Sequence, residues 1–212
     1  MLIHRGEHHK PSSTGRLVGR VVKGAACHLY QRATRFSAAT GFSAHALEPT
    51  RELWILHPSG DTPPAHTAAQ SAPTAPRPHV LLLDGTWRQA GEMLRSLEGM
   101  VEGLRLCVRL PDAGGAPSRF WLRDQPGPMQ LSTAEALMGV FRGVGEHEAD
   151  RRLRLHFEMH VYATLLARGR REMAERYLGD SPLLAAAADA VNRLHARRSR
   201  SIHPDGQSRT TS

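Results

Sequence analysis

The feature that most constrains this chain is the run His79-Val-Leu-Leu-Leu83, bounded by Pro78 and Gly85 and closed by Asp84. A short continuous apolar run between such punctuation reads as an interior strand of a parallel sheet. Gly85 permits a tight turn, Thr86 is suited to cap a helix, and Arg88 to Leu97 carries amphipathic helical spacing. A carboxylate therefore stands at the carboxyl end of a buried strand, where a helix begins. Open α/β sheets place ligands and chemistry at such points. An isolated Asp-Gly-Thr would be read as a helix cap; what gives Asp84 more weight is the pattern along the rest of the chain.

Met1 to His4 is short and apolar and predicts a first strand. Ser12 to Val22 predicts a helix with hydroxyl residues at its start and Leu17, Val18, Val21 and Val22 on one face. Cys27 to Tyr30, Leu53 to Leu56 and Leu104 to Leu110 read as further strands. Ser59 to Pro78 is rich in Pro, Ala and Thr and reads as a surface loop or disordered insertion, and Pro111 to Pro117 as a loop. Ser132 and Glu135 have capping-box spacing, so a helix starts there. One long helix is expected from about His147 to Met173, with Leu153, Leu155, Phe157, Val161, Leu165 and Leu166 in the core. Another covers Ser181 to Arg197, and the tail Arg198 to Ser212 is expected to be disordered. Strands alternating with helices, then a helical end, predict an α/β fold with a mainly parallel sheet and flanking helices.

The 212 residues carry a formal net charge of +8, and only Lys10 and Lys23 are lysines. Arginine's planar fork suits phosphate and base contacts, which points to a polyanionic partner. A genomic bias toward Ala, Gly, Pro and Arg would account for the same composition. The groups Arg151-Arg152-Arg154, Arg168-Arg170-Arg171 and Arg197-Arg198-Arg200 are read either as contacts to that polyanion's backbone or as solvated helix faces. Cys27 and Cys107, the two cysteines, lie in apolar segments and are expected to be buried; no Cys-x-x-Cys occurs. There is no signal peptide and no apolar run long enough to span a bilayer, so a cytoplasmic location without membrane association is expected. No obligate protein partner is evident.

Three polar clusters stand apart from the core pattern. They are His4 to Arg16, then Asp84-Gly-Thr-Trp87, and finally Ser118 to Arg123 with Leu131-Ser-Thr-Ala-Glu135. Each falls where a strand or loop meets a helix amino terminus, which offers free N–H groups and a favourable dipole to anions. His8-His9 lacks a third ligand at metal spacing and reads as a solvated loop.

Together these clusters resemble the DTW-domain family of tRNA-uridine aminocarboxypropyltransferases. The Asp-x-Thr-Trp motif is carried by Asp84, Gly85, Thr86 and Trp87. The family's early segment is carried by His4, Glu7, Lys10, Pro11, Thr14, Gly15 and Arg16. Its later signatures fall on Arg119 or Arg123, Gln125, Pro126 and Leu131 to Ala136. The order is kept from His4 to about Leu178. Asp-x-Thr-Trp alone would be a weak signal, whereas three ordered motifs are a strong one. The cysteine cluster that many members carry ahead of the first strand has no counterpart here, so no metal is expected.

The resemblance implies a fold related to the knotted SPOUT methyltransferases, over residues 1–180, followed by a basic helix and tail over 181–212. It implies transfer of the 3-amino-3-carboxypropyl group of S-adenosylmethionine to N3 of a tRNA uridine, releasing 5′-methylthioadenosine. Uridine N3 carries a weakly acidic proton, and Asp84 is the expected base. Leu83, Thr86, Trp87, Arg119, Arg123, Leu131, Ser132, Thr133 and Glu135 are expected around the donor; His4, Lys10, Thr14 and Arg16 are expected toward RNA. Within those sets, Arg119, Arg123 or Arg16 would hold the methionine carboxylate, and Trp87 is read as stacking on adenine or uracil, or as core. Two other readings are an RNA methyltransferase using the same donor and a non-catalytic basic RNA-binding protein.

Overall fold

Five parallel strands form one sheet: β1 (Leu2–His4), β2 (His28–Tyr30), β3 (Leu53–Asp61), β4 (His79–Asp84) and β5 (Arg105–Val108), in the order β2-β1-β4-β3-β5. The computed structural model describes residues 1–31, 52–61, 78–97, 105–108, 110, 117–122, 131–187, 189 and 192. The chain divides into two units, Met1–Phe157 and Glu158–Ser212. The sheet lies in the first, together with α1 (Arg5–His8), α2 (Thr14–Val21), α3 (Trp87–Leu97) and α4 (Thr133–Gly143).

The apolar run read as an interior strand is β4, paired on one side with β1 and on the other with β3. Strand side chains alternate between faces. Leu81 and Leu83 join Leu2, Tyr30, Leu53 and Ile55 in a core closed by Ala90, Met93 and Leu97 of α3. Leu82 and Asp84 therefore point to the opposite face, where α2 and α4 pack together and α4 meets β4. Ile3 of β1 is in register with Asp84 and shares that face.

The connections then determine where a ligand can sit. From β1 the chain passes through α1 and α2 to β2 on one flank. From β4 it passes through α3 and beyond β3 to β5 on the other. Neighbouring strands whose onward connections diverge leave a crevice at their carboxyl ends, the switch point of an open α/β sheet. Asp84 ends β4 at that crevice.

Helix boundaries follow local chemistry. Ser13 caps α2, its hydroxyl accepting from the Arg16 N–H at 3.3 Å. Thr86 and Gln89 cap α3 reciprocally: the Thr86 N–H donates to Gln89 Oε1 at 2.7 Å and the Gln89 N–H to Thr86 Oγ1 at 3.4 Å. The Ser132–Glu135 capping box forms as its spacing predicts.

Several expectations are corrected. The single helix expected from His147 to Met173 is two, α5 (His147–Ala167) and α6 (Arg171–Gly179), because Gly169 adopts φ +73° between them. Leu153 and Phe157 are buried as expected, as are Val161 and Leu165 in the second unit, but Leu155 is half-buried and Leu166 is 37% exposed. Cys27 is exposed rather than buried, since β2 starts one residue later; the side chain of Cys107 lies outside the described residues. β3 runs on to Asp61, into the segment expected to be a loop, and the polar loop after β1 contains the short helix α1. Residues 62–77, 111–116 and 193–212 lie outside the described residues, and with them most of the expected insertion, the Pro111–Pro117 loop and the tail.

Ile55 is fully buried at the centre of the α3-facing core. Ile55→Ala should destabilise the protein by about 2–5 kcal/mol, the usual cost of emptying such a site. Denaturant unfolding followed by far-ultraviolet circular dichroism measures it.

Candidate active site

Asp84 is 6% exposed, and protein donors hold both of its carboxylate oxygens. Thr133 Oγ1 donates to Oδ1 at 2.6 Å, and Ser13 Oγ donates to Oδ2 at 3.1 Å. The Gly15 main-chain N–H adds a further bond. The donors thus come from the first turns of α2 and α4, so the carboxylate sits before the positive ends of two helices. Asp84 does not cap its own helix, since Thr86 and Gln89 do that. The capping alternative is ruled out by the direction in which Asp84 points.

Burial pushes the Asp84 pKa above the ordinary carboxylate value, because a charge removed from water favours its neutral form. The hydroxyls of Thr133 and Ser13 act against this, and the negative charge of Glu7 adds to it. Glu7 lies on α1 and is itself paired with Lys10 at 2.7 Å. Asp84 is therefore a stronger base than an exposed aspartate, while its donors still support the charged form.

Gly15 is a consequence of this packing. A Cβ at that position would lie 2.6 Å from Asp84 Cγ, and closer still to Oδ2. Only glycine lets α2 start this near the carboxylate.

A second cluster fixes α4. Glu135 accepts from the Ser132 N–H at 2.7 Å, the Arg119 N–H at 2.8 Å and Ser118 Oγ at 3.0 Å to each oxygen. It fastens the 118–119 segment to the amino terminus of α4, and thereby places both Arg119 and Thr133.

Asp84, Thr133 and the first turn of α2 come together directly, and Ser132, Glu135 and Arg119 adjoin them through α4. Ser132 is buried within its cap, and Leu131 and Arg119 are half-buried. Leu83 packs in the α3-facing core. Thr86 is exposed, and Trp87, for which a core position was one reading, is 46% exposed at the start of α3. Of the four residues expected toward RNA, Lys10 is exposed, His4 and Arg16 are half-buried, and Thr14 is buried. Arg123, Gln125 and Pro126 lie outside the described residues. His9 is exposed; His8 is half-buried, and its Nδ1 is buried without a hydrogen-bond partner. Among the described residues no cluster of three or more His, Cys, Asp or Glu has metal-binding geometry.

Ser13, which bonds Asp84, and Gln89, which closes the cap of α3, join the site only through the fold. Ser13 is recognisable in sequence only as one of several hydroxyls before a helix, and nothing local shows that its proton reaches a carboxylate 71 positions away.

A model of the DTW domain matches residues 1–165. The chain belongs to the DTW-domain family. That family includes tRNA-uridine aminocarboxypropyltransferases, and membership is consistent with a tRNA-modifying enzyme. No curated protein and no solved structure matches it. No helix among the described residues of this DTW protein is long and apolar enough to cross a membrane.

A carboxyl whose pKa is raised on folding holds its proton more tightly in the folded state. Its contribution to stability therefore falls as pH rises from the unfolded pKa, about 4, through the folded one. The difference in unfolding free energy between wild type and Asp84→Asn should decline over that window and then level off. A difference that stays constant from about pH 3 to pH 8 would contradict the raised pKa.

Proposed function

We propose that this chain transfers the 3-amino-3-carboxypropyl group of S-adenosylmethionine to N3 of a tRNA uridine, releasing 5′-methylthioadenosine. The observation that carries the proposal is the buried carboxylate of Asp84, held by Thr133, Ser13 and the Gly15 N–H at the sheet's switch point, in a chain of the DTW family. A buried carboxylate whose pKa is raised, at the carboxyl end of a strand, favours the catalytic reading over a non-catalytic RNA-binding protein.

The residues present suit such a donor. Its α-carboxylate requires a positive partner, for which the half-buried Arg16 and Arg119 are suited. Its sulfonium and ammonium are positive, and Asp84 is the buried acid at the first turns of α2 and α4. When bound, the sulfonium supplies an activated carbon and a neutral thioether leaving group.

The chain's contribution is then proton transfer and placement. Asp84 accepts the N3 proton as the N3–carbon bond forms and the carbon–sulfur bond breaks, its electron pair leaving on sulfur. Thr133 and Ser13 fix the direction of the carboxylate. The γ-carbon and the methyl carbon are both electrophilic, so the choice between them is made by alignment to N3. Glu135 acts through Arg119 and α4, as a positioning residue.

Purified protein, tRNA and S-adenosylmethionine labelled in either the carboxyl or the methyl group test this directly. Carboxyl label should enter tRNA and methyl label should not. Asp84→Asn should lower the rate by about two to four orders of magnitude while the fold is retained. Entry of methyl label would make the enzyme a methyltransferase, and a near wild-type rate for Asp84→Asn would remove the base from Asp84.

A further inference from the structure

Trp87 and Asp84 belong to the same strand–helix junction but to opposite sides of the sheet. Asp84 points toward α2 and α4. Trp87 opens α3, which packs on the other face against Leu81 and Leu83. Trp87 is 46% exposed, whereas Trp54 is buried. Such exposure of a large apolar ring is unfavourable in water. The ring cannot be relieved by a shift of the helix start, because the reciprocal Thr86–Gln89 cap fixes that turn. Gly85 also packs closely on Gln89, a Cβ there coming within 2.9 Å of Gln89 Cβ.

The surroundings of the ring favour a polymer over an enclosed nucleoside. Thr86 and Arg88, on either side, are exposed, and the first turn of α3 holds no acidic residue. That turn lies against α1, where a Cβ on Gly6 would meet the Gln89 amide at 3.3 Å. α1 adds the exposed Arg5, which donates to Gln31 Oε1 at 2.8 Å, while Lys10 beyond it is paired with Glu7; the exposed cation next to the ring is therefore Arg88. The groups fitted to the donor lie instead on the α2 and α4 side.

We propose that Trp87 is the stacking platform for a base of the RNA substrate, with Arg88 beside it toward phosphate, and that it takes no part in holding the donor's adenine. The inference rests on the reading of the chain as an RNA-modifying enzyme.

Binding measured without turnover tests it. Kd for tRNA is determined by fluorescence anisotropy at salt high enough to suppress phosphate contacts, and Kd for S-adenosylmethionine by calorimetry. Stacking contributes about 1–3 kcal/mol per base, so Trp87→Ala should weaken tRNA binding by roughly 5- to 150-fold. Trp87→Phe should restore most of it, and neither change should alter the Kd for S-adenosylmethionine. Unchanged tRNA affinity in Trp87→Ala, or a loss confined to S-adenosylmethionine, overturns the proposal and leaves the proposed reaction standing. If wild-type protein binds no tRNA, the reading of the chain as an RNA-modifying enzyme fails and this proposal with it.

Discussion

The site depends on one interaction, the pair of hydroxyl bonds from Ser13 and Thr133 to the two oxygens of Asp84. A carboxylate buried at the end of a parallel strand is costly unless its charge is compensated. Here the compensation comes from the first turns of two helices that are distant in sequence from β4 and from each other. The same bonds that make the charge tolerable also determine where α2 and α4 begin. Gly15 follows from that approach, and so does the fastening of the 118–119 segment to α4 through Glu135.

The opposing influences on Asp84 bear on what it can do. Desolvation and the charge of Glu7 raise its pKa, and three hydrogen bonds lower it. With desolvation alone the group would tend to be a neutral acid, and with the hydrogen bonds alone it would be a feeble base. The net direction is upward, which makes Asp84 a better proton acceptor than an exposed aspartate. The two faces of the sheet differ at this junction: Asp84 faces α2 and α4, while Trp87 and Arg88 open α3 on the other face.

Much of this was legible in the sequence because it is written locally. The apolar run of β4, the Ser132–Glu135 box and the hydroxyls before α2 are each set by a few consecutive residues, and all appear where their chemistry requires. What was not legible depends on contacts between distant segments. The partnership of Ser13 with Asp84, the half-buried Leu155 and the exposure of Cys27 and Trp87 are of this kind. Helical spacing continued past Ala167, but periodicity does not register the positive φ of a single glycine. Glu158, buried on α5, shows the same limit from the other side, since a charged residue within an amphipathic pattern reads as surface.

The acid limb of the pH dependence of kcat/KM for transfer to tRNA, which reports the base of the free enzyme, tests the central claim most directly in three proteins. Thr133→Val removes a hydroxyl that supports the charged form of Asp84 and should move the limb to higher pH. Glu7→Gln removes a charge that opposes it and should move the limb to lower pH. Opposite displacements on either side of wild type would identify Asp84 as the base and its hydrogen bonds as what tunes it. A limb that stays in place in both variants, or moves the same way in both, would contradict the account.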